Sequence, residues 1–220
     1  MSNGLFITLE GVEGVGKTTN LAFMERYLAA AGVDLLCTRE PGGTPLAEEI
    51  RRMLLSDREE PVQAQAELLL IFAARAQHLH SVILPTLASG RWVLCDRFTD
   101  ATYAYQGGGR GLPLSTIQQL ESLVQNGRQP DKTFFLDLEV DVGLARAQNR
   151  GVPDRFEKES RSFFESVRAA YWERIRQQPG RFVVIDASRN LAEVQHQIAV
   201  ELDKVLSEHA SGANGAGHSI

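Results

Sequence analysis

The chain of 220 residues contains only two cysteines, Cys37 and Cys95, and no surplus of positive charge. Each cysteine lies in an apolar run typical of a strand, and their spacing is not that of a metal site, so we expect reduced core thiols in a reducing compartment. The net charge of −5 argues against a nucleic-acid or anionic-membrane surface, although it does not exclude a local basic cleft.

Long apolar runs and targeting signals are also missing. No run reaches the ~18 apolar residues of a membrane span. The N-terminus has no basic region and Glu10 closes its apolar stretch, so no signal peptide is predicted. The histidines form no ligand spacing with acids or cysteines, and we expect them to be solvated or in the core. These absences predict a soluble, cytoplasmic protein without a membrane or nucleic-acid partner.

The most informative stretch is Gly-Val-Glu-Gly-Val-Gly-Lys-Thr at 11–18, which matches the phosphate-binding loop G-x-x-x-x-G-K-[ST]. A predicted strand at 5–9 precedes it and a predicted helix at 19–31 follows it. Glycines let backbone N–H groups surround a phosphate, and the helix N-terminus adds partial positive charge. Lys17 supplies charge to the outer phosphates, and Thr18 can ligate Mg²⁺. The residues predicted to bind ATP here are Gly11, Val12, Glu13, Gly14, Val15, Gly16, Lys17 and Thr18.

Apolar runs alternate with helical segments along the rest of the chain. The pattern predicts an α/β fold, a doubly wound five-stranded parallel sheet with helices on both faces. The further strands are predicted at 33–38, 92–95, 132–138 and 182–186. The other helices include 45–55, a long helix that opens at Pro61 and is kinked or broken near Pro85, 162–177, and a last helix from about 191 to 208. A glycine-rich loop is predicted at 106–111.

We expect one domain at 1–210, with a mobile lid at about 149–157 and a disordered tail at 211–220. Ligands of parallel sheets bind where strands end. The first strand leads into the phosphate loop, the second into Arg39 and Glu40, and the third into Asp96 and Arg97. One triphosphate does not need so many cations, so a second phosphorylated ligand is expected.

Four features keep two interpretations each. Asp96 is placed to support Mg²⁺ or to cap a turn. Phe72 and Arg75 share a helix face, as core residues or as a nucleobase site. Glu13 points into solvent or accepts a bond from a sugar hydroxyl. The last feature is a group of arginines that forms a solvated basic face or a lid over transferring phosphate. Its members are Arg146, Arg150 and Arg155.

Together these motifs resemble the thymidylate kinase family. The similar segments are spread over nearly the whole chain, and they are 10–19, 38–44, 72–75, 96–98 and 104–107. The resemblance implies a P-loop nucleoside monophosphate kinase-like fold, a homodimer, and transfer of the ATP γ-phosphate to dTMP with Mg²⁺. The phosphate loop carries no arginine. In this the chain resembles the bacterial branch of the family, whose arginines lie in the lid instead.

The resemblance also implies roles for individual residues. Arg39 and Arg97 would hold the acceptor phosphate, Phe72 would stack on thymine, and Arg75 would bond its edge. The full set implied to bind dTMP is Glu13, Arg39, Pro41, Arg51, Phe72, Arg75, Arg97, Thr102, Tyr105 and Gln106. The catalytic set is Lys17, Arg97, Arg150 and Arg155; Arg146 would bind ATP, and Thr18 and Asp96 would hold the metal.

Three alternatives stay open. The nearest is another nucleoside or nucleotide kinase of the same fold. The second is a P-loop ATPase coupled to a partner, although Arg97 stands where many ATPases have a water-activating glutamate. The third is a nucleotide-binding regulator, which would not need paired acceptor arginines.

Overall fold

The computed structural model describes residues 4–148 and 155–215. Five strands form one parallel sheet in the order β2-β3-β1-β4-β5. The strands are β1 (Phe6–Glu10), β2 (Leu35–Arg39), β3 (Trp92–Asp96), β4 (Lys132–Asp137) and β5 (Phe182–Asp186). The predicted parallel α/β sheet is confirmed, with strand ends shifted by one or two residues.

Helices fill every connection between the strands. They are α1 (Lys17–Ala30), α2 (Pro45–Leu55), α3 (Ala64–His78), α4 (Leu84–Ala88), α5 (Thr99–Thr102), α6 (Leu114–Gln125), α7 (Val140–Gln148), α8 (Arg161–Gln177) and α9 (Leu191–Gly215). Alternate residues of a strand face opposite sides of a sheet. Ile7 and Leu9 pack into one cluster with α8 and α9, whereas Phe6 packs with residues 79–87 in another, so helices cover both faces.

The long helix differs from the prediction at its start, and it is not broken at Pro85. It begins at Ala64 rather than at Pro61, and it passes Pro85 without ending. A π-helical turn at Leu79–Ile83, in which the Leu84 N–H donates to the Leu79 carbonyl, precedes the proline. Such a turn accommodates a residue that has no N–H to donate. By length and composition alone Ala64–Ala88 could cross a membrane, but it packs as a core helix of the sheet.

The predicted glycine-rich loop at 106–111 is wrong for most of its length, because Tyr103–Gly109 is a π-helical stretch. Its glycines allow close packing against α8. A Cβ at Gly108 would lie 2.6 Å from Ala170 Cβ, and one at Gly109 would lie 2.4 Å from the Phe163 ring. Glycine here serves close approach rather than a change of chain direction.

The last helix continues to Gly215, past its predicted end near residue 208 and into the residues predicted as a tail. The Ser207 and Ser211 hydroxyls donate to backbone carbonyls one turn earlier, at 2.8 and 2.9 Å. Residues 216–220 lie outside the described part of the chain, as do 149–154 of the expected lid.

Candidate active site

The phosphate-binding loop connects β1 to α1 as expected from its motif. Gly11, Gly14 and Gly16 have φ values of 151°, 76° and 87°, a region that favours glycine. Gly14 also lies against α7, because a Cβ there would be 1.8 Å from the Gly143 carbonyl oxygen. The loop is therefore fixed by its own dihedral angles and by the helix that leads toward the expected lid.

Lys17 folds back across this loop. Its Nζ donates to the carbonyls of Gly11 and Val12, both at 3.4 Å. Burial, with the nearby charge of Arg97, lowers the pKa of the Lys17 ammonium. These long bonds are weak, so the ammonium is poorly compensated and well placed to pair with an anion. The Thr18 side chain at the start of α1 is exposed.

At the end of β3, Arg97 adopts φ of 66° and turns its side chain toward the loop. Its guanidinium donates to Glu13 Oε1 at 2.6 Å and lies 4.7 Å from the centre of the Tyr105 ring. The Tyr105 hydroxyl donates to the same Glu13 oxygen at 2.9 Å. Burial opposes the charge of Arg97, but Tyr105, Glu13 and Tyr171 outweigh it and raise its pKa. Glu13 therefore does not simply face solvent, one of its two predicted interpretations.

A second buried arginine lies deeper in the same cleft. Arg75 is 2% exposed and sits between the rings of Phe72 and Phe98, 4.9 and 5.0 Å from their centres. Its Nε donates to Glu40 Oε2 at 2.7 Å, and one terminal nitrogen donates to Thr102 Oγ1 at 3.0 Å. The other terminal nitrogen, Nη1, is buried without a hydrogen-bond partner among the described residues. Arg75 thus keeps one donor for a ligand.

These elements surround a cleft of about 1100 Å³, including its open mouth. Most of the predicted site residues line it: Glu13, Gly14, Val15, Gly16, Lys17, Thr18, Pro41, Arg51, Arg75, Asp96, Arg97, Thr102, Tyr105 and Gln106. The carboxyl ends of β1, β2 and β3 are neighbours in the sheet, as expected. A phosphate loop and a second cationic pocket therefore share one cavity.

Comparisons with known proteins agree on one family. The family model described as Thymidylate kinase matches residues 9–198. Thymidylate kinases from Teredinibacter turnerae and Ectopseudomonas mendocina are 60% and 59% identical over 203 residues, which cover 92% of this chain and 99% and 97% of theirs. The chain belongs to the thymidylate kinase family. A crystal structure of thymidylate kinase from Ehrlichia chaffeensis aligns with a TM-score of 0.72 at 34% identity, over 93% of this chain and 99% of that one.

Two of the residues that a thymidylate kinase was expected to use on its acceptor do not line the cleft. The Arg39 side chain is 51% exposed and donates to Glu48 Oε2 at 2.9 Å. The Arg39 bond, with a smaller backbone bond from Gly43, lowers the pKa of Glu48. The Phe72 ring is 2% exposed and packs with Leu68 among core residues. Phe72 therefore supports Arg75 in this structure.

The expected lid arginines are also distributed differently. Arg146 donates to the Ala187 carbonyl at 3.1 Å, and Arg150 lies outside the described residues. Arg155 donates to the Leu54 carbonyl at 2.8 Å and to Glu67 Oε2 at 2.5 Å, and it does not line the cleft. The structure brings Arg155 to a buried carboxylate on α3 rather than to the phosphate loop.

The cleft offers oxygen ligands that suit a magnesium ion carried by a nucleotide. Asp96 Oδ1 is buried without a hydrogen-bond partner among the described residues, and the Thr18 hydroxyl is exposed beside the loop. Within 4–148 and 155–215 no group of three or more His, Cys, Asp or Glu could hold a metal by itself. Magnesium usually keeps several waters and needs one or two protein oxygens besides phosphates, so Asp96 and Thr18 fit it.

Three buried acids surround the cleft, and two of them, Glu10 and Glu67, were not identified as site residues from sequence, whereas Glu40 was expected at the end of the second strand. Glu10 accepts from the Phe98 N–H and from the Tyr171 hydroxyl, both at 2.7 Å. Burial foremost raises the pKa of Glu10 to about 7. Glu40 bonds Arg75 and, at 3.1 Å, His78. Glu67 is the third. The partners of Glu10 and Glu67 are distant in sequence, and no local pattern identified these two acids.

Proposed function

We propose that this chain transfers the γ-phosphate of ATP to dTMP, giving dTDP and ADP, as a step of dTTP synthesis. The carrying observation is one cleft with a phosphate loop at one side and three arginines at the other, Arg51, Arg75 and Arg97. A triphosphate occupies the loop, and a second nucleotide needs the arginines. Membership of the thymidylate kinase family supports dTMP as that nucleotide.

In the proposed reaction an oxygen of the acceptor phosphate attacks the γ-phosphorus as the bond to the ADP oxygen breaks. The acceptor phosphate is already a nucleophile, so no dedicated general base is needed. Lys17 neutralises charge on the outer ATP phosphates. Arg97 gives up part of its contact with Glu13 and orients the acceptor phosphate. The phosphate then takes the place of the carboxylate as the anion paired with Arg97.

Magnesium completes the ATP site in this proposal, held by the Thr18 hydroxyl and by Asp96, whose Oδ1 has no protein partner among the described residues. A bound magnesium ion would supply positive charge that offsets the negative charge developing on the transferring phosphate. The protein's own contribution is to hold the loop, Lys17 and Arg97 rigidly, so that little rearrangement accompanies the transfer.

On the acceptor side, Arg75 bonds the base edge, and Phe72 stacks on thymine only by moving out of its core position, where it supports Arg75 in this structure. Tyr105 packs against the sugar of the acceptor, and Glu13 accepts a hydrogen bond from a hydroxyl of that sugar. Arg39 reaches the acceptor phosphate only by leaving Glu48, which its exposure permits. The remaining acceptor contacts are assigned to the cleft-lining residues Pro41, Arg51, Thr102 and Gln106.

A lid at about 149–157 of the single domain 1–210 closes over the phosphates in this proposal, with Arg146 and Arg150 facing ATP. Arg155 joins them only by leaving Glu67. We further propose a cytoplasmic homodimer. Large apolar side chains are exposed on α3 and on α2 and α6, which both pack against α3, and a partner subunit would cover them. They include Leu46, Met53, Leu69, Leu114 and Leu123.

The test is whether ATP turnover depends on the second nucleotide. ADP release should be slow with ATP and Mg²⁺ alone and should accelerate by orders of magnitude when dTMP is added. Equal rates in both conditions would favour an ATPase. Acceleration by a different nucleoside monophosphate, with none by dTMP, would identify another kinase of the same fold.

A further inference from the structure

Glu67, on α3, is a buried carboxylate that the proposed phosphate transfer does not use. It is 0% exposed. Its Oε1 accepts from Gln106 Nε2 at 2.8 Å and from Arg110 Nε at 3.2 Å, and its Oε2 accepts from Arg155 at 2.5 Å and from Arg110 at 3.3 Å. Burying an anion is costly unless several donors satisfy it. Glu67 meets this requirement with donors from two separate segments, Gln106 and Arg110 from one and Arg155 from the other.

Both oxygens of Glu67 accept from arginines, and one of them also accepts from Gln106, so the contacts of this carboxylate fix how the Gln106 amide is oriented. The amide must turn its NH₂ group toward Glu67, so its carbonyl oxygen faces the other way. That oxygen has no hydrogen-bond partner among the described residues, and Gln106 lines the cleft. The Gln106 carbonyl oxygen can therefore accept a hydrogen bond from a ligand in the cleft.

Arg75, which lines the same cleft, offers the complementary group, because its Nη1 is a buried donor without a described partner. One donor and one acceptor match the imide edge of thymine, where a carbonyl oxygen stands beside an N–H. The corresponding edge of cytosine carries an amino donor beside a bare ring nitrogen. Both groups would then be mismatched, which rejects cytosine by leaving polar groups unpaired.

Resting on the proposed dTMP kinase function, we propose that Glu67 is a positioning residue that sets the base specificity of the acceptor pocket. It holds Gln106 with its oxygen toward the cleft, so that a thymine N–H is accepted and cytosine is refused.

The direct test is Glu67→Gln, which has the same shape. In the variant, Arg110 and Arg155 bind the one remaining acceptor oxygen of residue 67. The new NH₂ group therefore faces Gln106, and the Gln106 amide rotates to turn its oxygen toward it. We expect kcat/KM for dTMP to fall about tenfold or more, mainly through KM for dTMP. KM for ATP should change less than about twofold, and the dTMP to dCMP ratio of kcat/KM should fall by a similar tenfold.

Asp100→Asn is the matched control. Asp100 is a fully buried carboxylate on α5 that accepts from Arg174 at 3.0 Å and from Arg181 at 2.6 Å. Its loss should lower stability by a comparable mechanism and leave the dTMP to dCMP ratio unchanged. An equal fall of that ratio in Asp100→Asn would overturn the inference, because the selectivity would then follow stability alone.

Gln106→Met keeps Glu67 and its two arginines but removes the amide, so it decides the matter even if Glu67→Gln fails to fold. The same narrowing of the dTMP to dCMP ratio is expected. An unchanged ratio in Gln106→Met would sink the specificity role. Wild-type protein that transfers no phosphate to dTMP refutes the proposed function itself, whereas active wild type with unchanged ratios in the variants refutes only the role of Glu67.

Discussion

Glu10 should make the stability of this protein fall as pH rises toward neutrality. Burial foremost, and then the charge of Asp100, raises the Glu10 pKa to about 7, against the opposing effects of Arg97 and of the bonds from Tyr171 and Phe98. The reference value is 4.5. Between these two pH values the folded protein keeps a proton that the unfolded chain releases.

Stability is therefore lost, not gained, as pH rises through that window. A difference between 4.5 and about 7 corresponds to roughly 3 kcal/mol at ~1.4 kcal/mol per pKa unit. Glu10→Gln keeps the acceptor for the Phe98 N–H and cannot ionise. Relative to wild type, the variant should gain roughly 3 kcal/mol of unfolding free energy from pH 4.5 to pH 8.

Urea unfolding of both proteins at a series of pH values measures this difference directly. The exposed Glu193, on α9, supplies the control Glu193→Gln, which removes one carboxylate without removing a buried one. Its difference from wild type should stay nearly flat. If the curves for wild type and Glu10→Gln run parallel within about 0.5 kcal/mol, Glu10 does not titrate as argued.

Three further changes test parts of the site. Tyr105→Ala should lower the dUMP to UMP ratio of kcat/KM about tenfold, because it removes a ring that clashes with the 2′ hydroxyl of a ribose. An unchanged ratio would show that Tyr105 does not contact the sugar. Arg150→Ala should lower kcat ~10³-fold with little effect on ATP binding. A near-normal kcat would instead favour the alternative in which Arg150 belongs to a basic face exposed to solvent. Gly143→Ala, whose Cβ would lie 2.6 Å from the Glu13 carbonyl oxygen, should raise KM for ATP about tenfold. Gly180→Ala, with nothing within 4 Å, should not.

The sheet and the phosphate loop were predictable because their signals are local. Gly11–Thr18 is one continuous motif, and apolar runs alternating with helices leave little choice of fold. A helix break at Pro85 and a loop at the glycines 107–109 were both wrong, and the two errors share a cause. A proline or a glycine indicates which backbone conformations are permitted, whereas the packing around a helix decides how that freedom is used.

The site was predictable where side chains follow a strand end, as Asp96 and Arg97 do. It was not predictable where a contact joins distant segments. Glu67 meets Gln106 and Arg155 across 39 and 88 residues of sequence, and a single sequence gives no sign of such pairs. Arg39 likewise pairs with Glu48 here because the other anion it could bind, the acceptor phosphate, arrives only with the ligand.

The most direct measurement of the central claim follows the γ-phosphate itself. Wild-type protein is given ATP labelled at the γ-phosphate, Mg²⁺ and unlabelled dTMP, and the products are separated. The label should appear at the β-phosphate of dTDP in step with the ADP released, with almost none as inorganic phosphate. Label that accumulates as inorganic phosphate while dTMP stays unchanged would contradict phosphate transfer between two nucleotides in this cleft.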